Sequence, residues 1–331
     1  MSCELVFLIF AETVLEDDRW NGVLEDLQEF YTSHEPPMES IKTTFLESGR
    51  VLEVRVAAPR ESPSLAECSH LIREEAAIIQ LHEGHPVQVI LQPGELYSRH
   101  KTPGLAVFDM DSTLIQQEVI DELARAVGLY DKVAAITDAA MRGEAPYTDF
   151  EASLRARVAL LKGVRSSIWE ELKTSTITFT TGAKELVQVL KQLGWKTAVL
   201  SGGFTPLANW VKDTLGLDYA YANHLVTNPE LGILTGELVS EAPIIHAQRK
   251  RQLLLQLAAE NNISAVKTIA VGDGSNDLLM MGASGLGIAF NAKPKVQKAA
   301  PARLNSHTLL DVAHVLGYSQ AQIDNLLKKG K

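Results

Sequence analysis

The sequence predicts an α/β protein whose main domain is a doubly wound parallel sheet, preceded by a smaller α+β domain. Four short apolar runs, each long enough for a strand buried on both faces, alternate with long helical patterns. These runs are Leu105–Phe108, Thr197–Leu200, Ile269–Val271 and Gly287–Phe290. A different order of elements precedes the first run, which indicates a separate domain.

The pattern of apolar residues in the N-terminal part of the sequence predicts a β-α-β-β-α-β unit. Apolar residues alternate in its strands and recur at helical spacing in its helices. In chain order, these elements are expected at residues 4–10, 19–32, 40–47, 50–58, 64–81 and 86–91. The order is that of a ferredoxin-like unit, and in topology it also resembles the ACT ligand-binding fold.

The segment Gln92–Gly104 is polar and rich in turn formers. It predicts a boundary between an N-terminal domain of residues 1–98 and an α/β domain of residues 99–331. Helical periodicity is nearly continuous at about residues 118–180, too long a stretch for one crossover helix. We therefore expect a helical cap, inserted after the first strand of the main sheet and placed above its carboxyl edge.

Composition excludes several classes of function. The net charge is −10 with no run of five or six like charges, so neither a nucleic-acid partner nor a membrane partner is expected. Cys3 and Cys68 are the only cysteines, too few for a disulfide framework. The opening apolar run lacks a basic start, which favours a strand over a signal peptide, and no later stretch reaches the ~18 apolar residues of a membrane span. We expect a cytoplasmic protein.

Polar residues follow three of the four apolar runs. Taken alone, each group is more often a turn or a helix cap. Together they would meet at one edge, because open α/β sheets bind ligands at the carboxyl ends of their strands. The residues are Asp109 and Asp111 after the first run, Ser201 and Gly202 after the second, and Asp273, Asn276 and Asp277 after the third.

Carboxylates that converge in a cleft repel one another unless a cation or a proton lies between them. Mg²⁺ prefers oxygen ligands and commonly uses one or two carboxylates together with a substrate phosphate. Asp109 and Asp273 could supply them, whereas no cluster of His or Cys indicates zinc. Phosphoryl transfer also needs a nucleophile and an acid. Asp109 suits the first role, and Asp111 could protonate the leaving oxygen and later activate water.

The order of these motifs resembles the haloacid dehalogenase superfamily over residues 104–318. Its phosphatases carry Asp-x-Asp-x-Thr, then Ser or Thr, then Lys, then Gly-Asp-x-x-x-Asp. The resemblance implies that Asp109 is the nucleophile and Asp111 the acid and base. It implies a phosphate clamp of Ser201, the Gly202 amide and Lys250. It also implies a Mg²⁺ site formed by Asp109, the Asp111 carbonyl and Asp273, supported by Asp277. Lys250 would otherwise be expected on a solvated helix face.

Within the superfamily, local motifs resemble the phosphoserine phosphatases, and the tail resembles the fungal members most. These motifs are residues 107–114, 118–122, 140–143, 150–158, 200–204 and 291–296. The resemblance implies hydrolysis of O-phospho-L-serine to L-serine and phosphate, the last step of serine biosynthesis. It implies that Glu118 binds the substrate ammonium and Arg157 its carboxylate, with Phe150 and Met141 closing the apolar side and Asn276 also contacting substrate. In a helix Arg155 and Arg157 diverge, so only one of them can face the site.

Two alternatives stay open at this point. The chain could act on another small phosphate ester, as a phosphatase or a phosphotransferase of the same superfamily. It could instead be an amino-acid-sensing regulator, because the N-terminal unit resembles ACT domains. Intact Asp109, Asp111, Lys250 and Asp273 argue against a silent sensor. The sequence does not decide whether the chain forms a homodimer.

Overall fold

The computed structural model describes residues 3–33, 38–58, 64–74 and 84–330. The last part of the predicted helix at residues 64–81 falls outside them. Within the described parts of the chain, no helix is both long and apolar enough to cross a membrane.

The N-terminal part forms an antiparallel sheet of four strands in the order β2-β3-β1-β4. Its elements follow the predicted β-α-β-β-α-β order. They are β1 (Cys3–Ala11), α1 (Asp17–Ser33), β2 (Glu39–Glu47), β3 (Val51–Ala58), α2 (Leu65–Glu74) and β4 (Val87–Pro93). The central strand β1 pairs with β3 on one side and with β4 on the other.

Both faces of the central strand β1 are buried, which explains its unbroken apolar run. Leu5, Phe7 and Ile9 pack with residues of the helices on one face. Val6, Leu8 and Phe10 point to the opposite face and join the core of the α/β domain. The N-terminal sheet therefore lies between its own helices and the rest of the molecule.

The segment Gln92–Gly104 differs from the predicted loop. Gln92 and Pro93 end β4, and the next residues form a short helix, α3 (Gly94–Arg99). Tyr97 and His100 are buried. A Cβ atom at Gly94 would lie 2.7 Å from the Cβ of Glu4, so glycine lets this helix pack directly on β1. The turn-forming residues are used in a close-packed connection.

The α/β domain contains a six-stranded sheet in the order β12-β11-β10-β5-β6-β7, whose recorded strand pairs are parallel. This confirms the predicted doubly wound sheet. The elements from β5 to β9 are β5 (Leu105–Phe108), α4 (Val119–Ala126), α5 (Tyr130–Met141), α6 (Phe150–Ala159), α7 (Ile168–Ser175), α8 (Ala183–Gln192), β6 (Lys196–Phe204), α9 (Thr205–Leu215), β7 (Tyr219–Asn223), β8 (Leu225–Asn228) and β9 (Ile233–Leu238). The remaining elements are α10 (Ala247–Glu260), β10 (Thr268–Gly272), α11 (Leu278–Ala283), β11 (Leu286–Phe290), α12 (Pro294–Ala299), β12 (Ala302–Leu304), α13 (Asp311–Val315) and α14 (Gln320–Lys329).

Helices α4 to α7 form the predicted cap between β5 and β6. The antiparallel hairpin β8–β9, which the sequence did not indicate, extends this cap. The Gly163 amide donates to the Leu234 carbonyl at 2.9 Å, and the Ser166 amide donates to the Gly232 carbonyl at 2.8 Å. The hairpin is short and half exposed, so its alternation is too weak to predict from the sequence.

Candidate active site

Asp109 lies at the carboxyl end of β5, in the middle of the parallel sheet. β5 pairs with β10 on one side and β6 on the other, so three strand ends meet beside this residue. The Asp109 amide donates to the Val271 carbonyl at 2.9 Å. Its Oδ1 accepts from the Met110 amide at 2.7 Å, which turns the carboxylate across the end of the sheet.

Lys250 on α10 is fully buried beneath Asp109. Its Nζ donates to Asp109 Oδ1 at 2.7 Å and to Asp277 Oδ1 at 2.7 Å. Burial alone lowers the pKa of Lys250, but the charges and hydrogen bonds of the two carboxylates outweigh it and raise that pKa above its ordinary value. Lys250 is therefore a fixed positive charge at the floor of the site.

Asp277 is held by the loop after β10. Its Oδ2 accepts from the Gly274 amide at 3.0 Å, while its Oδ1 binds Lys250. A Cβ atom at Gly272 would lie only 2.4 Å from Asp277 Oδ2, so only glycine leaves room for this carboxylate. Both oxygens of Asp277 already have protein partners, which fits a supporting role better than direct metal binding.

Asp109, Asp273 and Asp277 each place one carboxylate oxygen within 4.8 Å of the others. Burial, followed by the charges of Asp109 and Glu118, raises the pKa of Asp273 to about 7. A divalent cation between these groups would offset that repulsion. The donors are all oxygens, which suits a hard cation and not zinc.

Asp111 lies two residues beyond Asp109, in the turn that leads from the sheet to the cap. Its Oδ1 is buried and has no hydrogen-bond partner among the described residues. Burial, together with the charges of Glu118 and Asp109, raises the pKa of Asp111 well above the ordinary value for an aspartate. Between Asp111 and the cap, Ser112 adopts a positive φ of 54°, and its hydroxyl donates to Glu118 at 2.8 Å.

Ser201 and Gly202 lie within β6, where its pairing with β7 shifts register between Leu200 and Phe204. Ser201 is fully buried, and its Oγ accepts from the Gly203 amide at 2.8 Å. A Cβ atom at Gly202 would lie 3.2 Å from the ring of Phe150 on the cap. The irregular strand end thus lies directly beneath the cap.

Asn223, at the end of β7, was not found by the sequence analysis. Its side-chain amide donates to the Gly202 carbonyl at 2.8 Å, and its Oδ1 accepts from the Ile245 amide at 2.9 Å. Asn223 therefore ties the irregular end of β6 at Gly202 to the segment that leads into α10 and Lys250. A polar residue that ends a short apolar run, as Asn223 does in residues 219–223, is the signal that could have revealed it.

A cleft of about 640 Å³ separates the sheet edge from the cap. Lys250, Ser201 and Asp277 lie buried beneath it, and Arg155 pairs instead with Glu151 at 2.8 Å on the surface. Met141 ends α5, but its side chain lies outside the described part of the chain. The predicted residues that line the cleft are Asp109, Asp111, Glu118, Phe150, Arg157, Gly202, Asp273 and Asn276.

This combination of sheet, cap and strand-end residues agrees with a family comparison. The haloacid dehalogenase-like hydrolase family matches residues 106–282. This chain belongs to the haloacid dehalogenase-like hydrolases. The family match spans Asp109 and Asp111 after β5 and the acidic loop after β10, so it includes both of these parts of the candidate site.

Individual relatives of this haloacid dehalogenase-like hydrolase confirm the predicted resemblance. A probable phosphoserine phosphatase of Schizosaccharomyces pombe is 48% identical over 224 residues, which is 68% of this chain and 73% of that protein. A haloacid dehalogenase family hydrolase of Salmonella enterica superposes with a TM-score of 0.74 at 28% identity, covering 97% of this chain and 99% of the other. A phospho-aspartyl intermediate analogue of phosphoserine phosphatase superposes with a TM-score of 0.58 at 40% identity, covering 65% and 99%.

Proposed function

We propose that this protein is a phosphoserine phosphatase that hydrolyses O-phospho-L-serine through a phosphoryl group carried on Asp109. One observation carries the proposal. Asp109, which is held by Lys250, lines the same cleft as Glu118 and Arg157. A phosphate ester that also bears an ammonium and a carboxylate matches these charges in number and sign.

In the first step Asp109 attacks phosphorus. Its Oδ1 is held by Lys250 and the Met110 amide, which leaves Oδ2 as the attacking oxygen. A bond forms between Oδ2 and phosphorus as the bond between phosphorus and the serine oxygen breaks. Asp111 donates its proton to that serine oxygen, and the pKa of Asp111 is raised in the direction that a general acid needs.

In the second step Asp111 acts as a base. It takes a proton from a water molecule, the water oxygen attacks phosphorus, and the bond between phosphorus and Asp109 breaks. Inorganic phosphate leaves and Asp109 is regenerated. The proton taken from water replaces the one that Asp111 gave to serine, so the two steps together consume one water molecule.

The negative charge of the transferring phosphoryl group requires fixed positive charge and hydrogen-bond donors. Lys250, the Ser201 hydroxyl, the Gly202 amide and Asn276 are assigned to this clamp. Mg²⁺ is assigned to Asp109, the Asp111 carbonyl and Asp273, with Asp277 orienting the neighbouring groups. When bound, Mg²⁺ neutralises charge on the phosphoryl oxygens and aligns them for attack.

Glu118 is assigned to the substrate ammonium and Arg157 to its carboxylate. Arg157 Nε donates to the Ser153 carbonyl at 3.3 Å, which holds the guanidinium against the helix that carries it. Phe150 packs over Gly202, and with Met141 it would cover the apolar side of the substrate.

The proposed division into domains of residues 1–98 and 99–331 falls in the last turn of α3, just before the chain enters β5.

The test is phosphate release from phosphoserine, phosphothreonine, phosphoethanolamine, phosphoglycolate and sugar phosphates, with and without Mg²⁺. We expect phosphoserine to have the highest kcat/KM, activity to require a divalent cation, and Asp109→Asn to be inactive. Preference for another ester would refute the substrate assignment. Full activity of Asp109→Asn would refute the mechanism.

A further inference from the structure

Lys293 lines the cleft, but the assignments above give it no role. It follows β11 and immediately precedes α12. Its side chain is exposed to the cleft, and no described carboxylate forms an ion pair with it. Desolvation and the charges of Asp109 and Asp121 raise the pKa of Glu118, whereas the hydrogen bond from Ser112 and, as the smallest effect, the charge of Lys293 lower it.

The backbone just before Lys293 is held in an unusual conformation. Asn291 has a φ of 45°, in the left-handed region that few residues besides glycine and asparagine adopt. Its side chain donates to the Ser306 carbonyl at 2.7 Å and accepts from the Ser306 amide at 2.9 Å. Such conformations persist where surrounding contacts enforce them, often at functional sites. This conformation sets the direction in which the chain leaves β11.

A second set of hydrogen bonds holds the other end of the same segment. Gln297 on α12 donates to the Ala292 carbonyl at 2.6 Å and to Asn305 Oδ1 at 2.9 Å. The Asn305 amide in turn donates to Gln88 on β4, at 2.8 Å. The N-terminal sheet therefore helps to hold the segment that carries Lys293, so the lysine is presented to the cleft from a fixed backbone.

At the amino-acid end of the proposed substrate, Arg157 is the one cation assigned so far. Lys250 is committed to Asp109 and Asp277 beneath the phosphate end. Arg157 serves the amino-acid end, but Glu118 places a negative charge there. Glu118 would repel a carboxylate that enters beside it, and a second cation would offset this repulsion. Lys293 lines the same cleft, and its charge acts on Glu118.

We infer that Lys293 is a specificity-determining residue that binds the substrate carboxylate together with Arg157. The inference rests on the proposed function, because it concerns the amino-acid end of the same substrate. On this inference, Lys293 distinguishes phosphoserine from phosphate esters that lack a carboxylate. It also gives the N-terminal sheet a part in substrate selection, through Gln88 and Asn305.

The experiment compares wild type, Lys293→Met and Lys293→Arg with Lys298→Met as the matched control. Lys298 is an exposed lysine in the last turn of α12, the helix that Lys293 precedes, and it does not line the cleft. Steady-state kinetics are measured with phosphoserine and with phosphoethanolamine, which lacks the carboxylate. If phosphoethanolamine is turned over too slowly, its inhibition constant against phosphoserine replaces its KM. Melting temperatures check that each variant is folded.

We expect Lys293→Met to raise the KM for phosphoserine about tenfold, as for the loss of one charged hydrogen bond, with kcat changed less than about twofold. The phosphoethanolamine constant should not change, Lys293→Arg should restore most of the phosphoserine affinity, and Lys298→Met should behave as wild type. An unchanged KM for phosphoserine in Lys293→Met, or an equal loss of affinity for both esters, would overturn this inference and leave the proposed function standing. A wild-type enzyme inactive on phosphoserine would overturn the proposed function, and this inference with it.

Discussion

The carboxylates of the site differ in whether they have a basic partner. Lys250 neutralises part of the charge of Asp109 and Asp277, at 2.7 Å from each. Removing one partner of such a buried pair leaves an uncompensated charge, which costs several kcal/mol (about 3–5). Among the described residues, Asp111 and Asp273 have no basic partner of this kind. Burial, followed by the charges of neighbouring carboxylates, raises the pKa of each. These two carboxylates are the ones available for a proton and for a cation.

Replacing Asp111 tests the acid and base role. Asp111→Asn should lower kcat for phosphoserine by about 10² to 10⁴, because the serine oxygen then leaves without a proton. p-Nitrophenyl phosphate has a leaving group that needs no proton. With that ester the variant should release a burst of one p-nitrophenol per active site and then stall as phosphoenzyme. Steady turnover of both esters at wild-type rates would contradict the role.

Gly272 tests how closely the acidic loop is packed. Gly272→Ala would place a Cβ 2.4 Å from Asp277 Oδ2, so the carboxylate must move away from Lys250. We expect a lower melting temperature and a higher Mg²⁺ concentration for half-maximal activity. Gly282→Ala is the matched control, since it lies in α11 with nothing within 4 Å of the new Cβ. Equal behaviour of the two variants would contradict the packing argument.

The sequence revealed the site residues that follow strands and concealed those that tertiary packing brings in. Asp109, Asp111 and Asp273 are recognisable because each follows an apolar run. Lys250 lies between two arginines and has the pattern of an exposed helix face, yet it is fully buried. Its role came from the family resemblance and not from its local pattern. Asn223 was missed because its importance depends on bonds to Gly202 and Ile245, which are distant in sequence.

The end of β7 connects two elements that carry residues of the proposed phosphate clamp. Asn223 bonds to the β6 loop and to the segment before α10. Asn223→Ala would leave the Gly202 carbonyl and the Ile245 amide without these partners. We expect the free energy of unfolding to fall by about 1–3 kcal/mol and kcat/KM for phosphoserine to fall as well. Chemical denaturation and kinetics on the same samples measure both effects. A loss of stability with unchanged kcat/KM would show that Asn223 does not position the clamp.

Elements were predictable in proportion to their length and burial. β5, β6, β10 and β11 gave clear apolar runs because helices cover both of their faces. β7, β12 and the hairpin β8–β9 are short or partly exposed and left no clear pattern. The helix α3 was predicted as a loop because Pro93, Gly94 and Ser98 are residues typical of turns, while burial of Tyr97 stabilises the helix.

The molecule as a whole is held together across the N-terminal sheet. Beside the shared apolar core, a charged cluster joins the turn between β2 and β3 to α13. Arg50 donates to Glu47 Oε2 at 2.7 Å and to Asp311 Oδ2 at 2.7 Å. His314 lies 3.3 Å from Glu47. With the apolar face of Val6, Leu8 and Phe10, this cluster fixes the sheet on the α/β domain.

This cluster makes the free energy of unfolding depend on pH between about 2 and 4.5. Burial raises the pKa of Glu47, but hydrogen bonds from His314 and Arg50 outweigh it and lower that pKa from 4.5 to about 2. The ionised form is therefore favoured in the folded state, and its contribution is present above about pH 4.5 and lost as the pH falls towards 2.

Glu47→Gln should accordingly be less stable than wild type at pH 6, and the difference should shrink as the pH falls to 3. Glu95→Gln, which replaces a largely exposed carboxylate on α3, is the control and should show no such trend. Urea unfolding at several pH values measures both. A constant difference between Glu47→Gln and wild type at every pH would contradict the linkage.

The central claim is that the phosphoryl group passes through Asp109, and trapping it there is the most direct test. Asp111→Asn protein is mixed with phosphoserine carrying radioactive phosphorus in the presence of Mg²⁺, quenched in acid, digested and sequenced. The double variant Asp109→Asn, Asp111→Asn is treated in the same way. We predict label on Asp109 in the single variant and none in the double variant. Label on another residue, or phosphate release by the double variant at the rate of the single one, would contradict the account.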